Sequence, residues 1–117
     1  MRYMLMIHGE ESAWDRLSDA ERSAQYERYG ELQRQMQDRG HYVDGEEIAS
    51  AGTAKLVRVR GGERVVSDGP FAETKEQLGG YFVVDCDLDT AIEYAAGIPA
   101  AEGGTVEVRP VIEGPDA

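Results

Sequence analysis

Cysteine is nearly absent from this chain. Cys86 is the only one, so no disulfide can close within the chain, which suits a reducing compartment. It ends an apolar run and reads as a small core residue rather than a nucleophile. No stretch approaches the roughly 18 uninterrupted apolar residues of a membrane helix. The chain opens on a strand, not on a basic segment followed by a signal-peptide core. These absences predict a cytoplasmic protein with no membrane partner. Histidine is scarce too, and His8 and His41 with one cysteine do not make a typical zinc site. No calcium-loop spacing, phosphate loop, dinucleotide fingerprint or nucleophile elbow occurs, so no metal and no cofactor are expected. Basic residues are outnumbered, 12 Lys and Arg against 23 Asp and Glu, for a net charge of −11. The excess is even, with 6 basic and 11 acidic side chains in residues 1–50 and 6 and 12 in residues 51–117. Such a field repels phosphate backbones and anionic lipid, so no nucleic acid partner is expected; the charge serves solubility.

What is present fits one domain over residues 1–112 with a loose tail, Glu113–Ala117. Arg2 to His8 is apolar on both alternating faces, with Tyr3, Leu5 and Ile7 on one and Met4 and Met6 on the other, as in a central strand covered twice. Ser18-Asp19-Ala20-Glu21 matches a capping box and predicts a helix over Asp19–Arg39, ended by Gly40, with Tyr26, Tyr29, Leu32 and Met36 as its apolar stripe. A strand is predicted near Tyr42–Ile48. Two β-rich runs, Ala54–Arg60 and Glu63–Ser67, flank Gly61-Gly62 and predict a hairpin. Ala72–Gln77 suggests one helical turn, and Gly80–Asp85 a buried strand. Asp87 should cap a helix over Leu88–Ala96 with an inward stripe of Leu88, Ala91, Ile92 and Ala95, stopped by Gly97 and Pro99. Thr105–Val111 alternates as a last strand, with Pro110 suited to an edge or strand end.

Removing the hairpin leaves βαββαβ, the ferredoxin-like α+β order. Two helices cover one sheet face, while Met4, Met6 and several valines emerge on both. A second copy of the chain, sheet against sheet, is the economical cover, so a homodimer is expected.

The run Ser67-Asp68-Gly69-Pro70-Phe71-Ala72-Glu73-Thr74-Lys75-Glu76-Gln77-Leu78-Gly79-Gly80-Tyr81 resembles the signature of the DGPF-domain proteins, a branch of the YCII-related superfamily. The opening Arg2–Ile7 and the segment Gly104–Val111 are similar to that family as well, so the resemblance spans nearly the whole chain. It implies a dimeric α+β barrel. Some YCII relatives are enzymes, including a dehydrochlorinase acting on a chlorinated hydroxyquinol, and others carry a His–Asp pair proposed as catalytic. The histidine of that pair lies on the first helix. Here the matching position is near Tyr29, and Asp19–Arg39 holds no histidine. The family also resembles products found beside extracytoplasmic-function sigma factors, and the resemblance thereby implies a sigma factor link.

Asp68 is the first candidate for chemistry, as general base or acceptor for a substrate hydroxyl. As a turn former, its side chain would instead accept backbone amides. Gly69 and Pro70 set backbone geometry beside it, and Phe71 is a core or pocket-wall residue. Gly79 and Gly80 at a strand start suggest close backbone approach. His8, at a strand end, could partner Asp68 in proton transfer or be a satisfied structural histidine. Arg109 could hold an anionic ligand or pair with Glu107. Tyr29 shares the helical stripe. Three function classes follow, the first two being a dimeric small-molecule binder with its pocket beside Asp68–Phe71 and a cofactor-free acid/base enzyme using Asp68 and His8 on a small cyclic or phenolic substrate. An accessory role in sigma-factor regulation is the third.

Overall fold

The computed structural model describes residues 1–114, so 115–117 of the expected tail lie outside the described residues. In chain order the elements are β1 (Arg2–Gly9), α1 (Glu11–Asp15), α2 (Asp19–Asp38), β2 (Tyr42–Glu47), β3 (Lys55–Arg60), β4 (Glu63–Asp68), β5 (Gln77–Asp85), α3 (Leu88–Gly97) and β6 (Thr105–Pro110), with 3-10 turns at Ala51–Thr53 and Pro99–Glu102. The class is α+β: an antiparallel four-stranded sheet ordered β2-β5-β1-β6, a separate β3-β4 hairpin and three α-helices. β5 lies between β1 and β2, and β1 between β5 and β6, so each helical crossover spans one intervening strand.

Local signals account for the long helices. Glu21 N donates to Ser18 Oγ at 3.1 Å and Ser18 N to Glu21 Oε1 at 3.0 Å, so the predicted capping box forms at the start of α2. Leu32 and Met36 are buried against the sheet, while Tyr29 is half-buried and Tyr26 exposed. The stripe thus meets the core only in its C-terminal part. Asp87 caps α3 by accepting from Thr90 N at 2.8 Å. The predicted α3 stripe needs correction: Ala91, Tyr94 and Ala95 are buried, whereas Leu88 and Ile92 are exposed. Tyr94 turns the helix. Its ring brings more apolar surface inside than Ile92 would, and its hydroxyl keeps a partner, His41 Nδ1, at 2.8 Å.

The core lies between these helices and one sheet face, with Leu5, Met36, Val84 and Ile98 fully buried at its centre. A bulge at Val43 sets β2 in phase: Tyr42 pairs with Val84 and Asp44 with Val83, so Val43 is the extra residue. On the other sheet face the register places Met4 beside Val83 and Arg109, and Met6 beside Tyr81 and Glu107. Among the described residues, the buried Leu32 and Met36 of α2 and Ala91 and Tyr94 of α3 all join the opposite face, with Tyr3, Leu5, Phe82 and Val84. The hairpin turns at Gly61-Gly62, both with positive φ (58° and 80°), as the tight turn demands. The expected helical turn over Ala72–Gln77 does not form. Instead, Gln77 Nε2 donates to Thr74 O at 2.8 Å and to Ala72 O at 3.3 Å, satisfying carbonyls that a helical turn would have used, and Gln77 already starts β5.

Candidate functional site

A cavity of about 760 Å³ opens on the helix side of the sheet, at the end where β1 finishes and β5 begins. Its walls come from α1, the middle of α2, the end of β2 and the turn after α3. Ile7 and Phe82 form the apolar floor; Trp14, Leu17, Tyr26 and Tyr29 line the helical side. The ionisable side chains on short-chain acids here are all of one sign: Glu10, Glu11, Asp15, Glu46 and Glu47, with no lysine, arginine or histidine among the described lining residues.

Helix α1 builds much of this wall and was not predicted. A signal existed in Ala13, Trp14 and Leu17, an apolar set at helical spacing, but five residues are too few for propensity to decide. Arg22 supplies the missing stability from α2. Its Nε donates at 3.3 Å to Trp14 O, which also accepts from Leu17 N at 3.1 Å, and its Nη2 donates to Asp15 O at 2.9 Å, bracing the carbonyl end of α1. Trp14 then stands edge-on to Tyr26, ring centroids 5.5 Å apart.

The polar groups of the cavity are partly engaged. Tyr26 donates its hydroxyl to Glu47 Oε2 at 3.0 Å, and this bond raises the tyrosine pKa. Burial raises that of Tyr29, so both phenols stay neutral at physiological pH. The Glu11 carboxylate accepts from Ala51 N at 2.7 Å and Ser50 Oγ at 2.8 Å, tying α1 to the turn at Ala51–Thr53. These two bonds, the backbone one first, hold Glu11 below its ordinary 4.5. A carboxyl depressed in the folded state contributes stability above its unfolded pKa and loses it as the pH falls through the folded value. Acidification from neutral into that range should therefore loosen the tie and change Trp14 emission. Glu11→Gln should flatten this acid response; identical titrations of wild type and variant would show that the tie does not form.

The seven residues singled out for chemistry or ligand binding do not converge. Of these seven only Tyr29 lines the cavity, where Gly79 and Gly80, marked for close backbone approach, also lie. His8 and Arg109 meet on the opposite sheet face through Glu107, with His8 Nε2 3.3 Å from Glu107 Oε1 and Arg109 Nε donating to Glu107 Oε2 at 3.0 Å. Arg109 first, then His8, lowers the Glu107 pKa. Asp68 is exposed at the hairpin base, where Lys55 Nζ lies 2.5 Å from its Oδ1. Gly69 N donates to Ala54 O at 2.8 Å and closes the hairpin; Pro70 follows through a cis bond, and Phe71 is 82% exposed. Asp68–Phe71 thus stands apart from the cavity wall. Of the two glycines marked for close approach, Gly80 fits, since a Cβ there would lie 2.8 Å from Glu46 O, whereas at Gly79 the nearest atom is an ordinary 3.9 Å away. Cys86 is half-buried and its thiol pKa is raised by burial, as befits a packing residue.

Comparison with known proteins gives a consistent answer. The YCII-related domain family matches residues 1–114. An uncharacterised protein of Rhizobium meliloti (strain 1021) is 33% identical over 114 residues, covering 95% of this chain and 92% of that relative.

Proposed function

The chain belongs to the YCII-related domain family, and on that premise we propose that it is a homodimeric, small-molecule-binding protein of ferredoxin-like topology whose ligand is a ring-bearing organic cation held in the cavity between α1, α2 and the sheet. The observation that carries this reading is the pairing of aromatic walls with acidic groups and no basic ones among the described lining residues. A cavity of this size suits a small organic ligand. Aromatic faces attract cations, and Trp14, Tyr26 and Tyr29 offer them beside carboxylates. An anion entering would meet like charges and no basic lining residue, in a chain of net charge −11. The strand order supports the topology, and the sheet face on which Met4, Met6 and Val83 are only half-buried supports the homodimer, because the apolar surface they leave in water gains by being covered.

Trp14 is the only tryptophan and lines the cavity, so its emission reports occupancy. Benzyltrimethylammonium should change it saturably and bind at least about tenfold tighter than benzenesulfonate, a difference of about 1.4 kcal/mol. Equal affinities, tighter binding of the sulfonate, or no saturation by the cation at millimolar concentration would overturn the reading.

A further inference from the structure

The β3-β4 hairpin makes no substantial contact with any other element among the described residues. Opposite residues in the ladder share a face, so Val57, Val66, Val59 and Arg64 lie together on one side, next to the Lys55–Asp68 pair. Val57, Val59 and Val66 are 62%, 64% and 55% exposed. A two-stranded hairpin alone is marginal in water and needs a further layer to be stable. The projection also shows in the dimensions: the radius of gyration is 16.3 Å, against about 13 Å for a compact chain of this length.

The charge of the hairpin is opposite to that of the rest. Residues 55–68 hold Lys55, Arg58, Arg60 and Arg64 against Glu63 and Asp68, a net +2, which leaves −13 on the remainder of a chain of net −11. We propose that this hairpin is a docking arm whose valine face lies on a second copy of the chain, with Arg64 beside that copy's acidic surface. The inference rests on the homodimer reading above and adds the arm to it. Charge complementarity selects the occupant, since a basic arm and an acidic body on the same molecule are complementary in a pair of copies. The valines supply the surface to be covered, and the basic side chains on the strands discourage open-ended edge pairing.

The test is sedimentation equilibrium of the full chain, with circular dichroism to verify folding. Val57→Asp/Val66→Asp should remain folded, because both side chains are exposed within one chain, and should weaken the dimer at least tenfold. Arg64→Glu should weaken it too, and that loss should shrink in about 1 M salt, where charges are screened beyond about 3 Å. A dimer of wild-type affinity in both variants overturns the arm and leaves the homodimer standing. A wild-type chain that stays monomeric at tens of micromolar overturns both. An Arg64→Glu loss of equal size at low and high salt overturns the placement of Arg64 beside the second copy's acidic surface.

Discussion

Leu5→Ala is expected to lower the stability of the folded chain by about 3–5 kcal/mol, near the top of the range for a buried leucine. Leu5 is fully buried at the centre of β1, the strand flanked on both sides by β5 and β6. Its opposite neighbours are Phe82 and Val108, themselves parts of the core wall, so little can collapse into the void. Domains of this size are stable by only about 5–15 kcal/mol, so the loss is a large share of the total. Urea unfolding followed by circular dichroism should show a lower midpoint at unchanged slope. Ile92→Ala is the control, because Ile92 is 49% exposed despite its place in the predicted α3 stripe. Its effect should stay under about 1 kcal/mol. Equal losses in the two variants would place the core elsewhere.

Gly104→Ala is expected to cost about 3 kcal/mol although it adds a single methyl group. A Cβ at Gly104 would lie 2.3 Å from His8 O, 3.0 Å from Ala100 O and 3.2 Å from Gly9 Cα. All three are backbone atoms that no rotamer change can move. Overpacking usually costs about 1–3 kcal/mol, and here relief requires the entry to β6 to shift away from the end of β1. Gly104 also lines the cavity, so the shift should weaken the cation binding proposed above. Gly103→Ala is the matched control, since nothing lies within 4 Å of its Cβ position. Thermal melts decide: wild-type melting in Gly104→Ala would mean that the two segments do not approach this closely.

The elements that were readable in advance are those whose cause is local. Ser18 and Glu21 cap α2, Asp87 caps α3, and Gly61-Gly62 turns the hairpin, each through atoms a few residues apart. Strand alternation likewise made the two sides of β1 legible as Tyr3 and Leu5 against Met4 and Met6. Where local and distant effects competed, the distant ones won. Helix α3 turns Tyr94 inward because His41, 53 positions away, completes its hydroxyl. Helix α1 is held by Arg22 of the following helix.

The candidate site belongs almost wholly to the second kind. Asp68, Gly69, Pro70 and Phe71 stand out as a motif, yet they occupy the hairpin base, and His8 with Arg109 occupies the far sheet face. The cavity is assembled from Ile7–Leu17, Gln25–Gln33, Gly45–Ser50, Gln77–Phe82 and Pro99–Gly104, five stretches that nothing in the sequence joins into one site, although Gly79-Gly80 and Tyr29 stand out within two of them. Composition, caps, turns and periodicity determined the class, the strand order's ingredients and the charge of the molecule, because these arise from groups adjacent along the chain. Only the tertiary structure decided which aromatic rings face which carboxylates, and that a basic arm stands clear of an acidic body, because such neighbours are chosen by the packing of distant segments and leave no periodic trace.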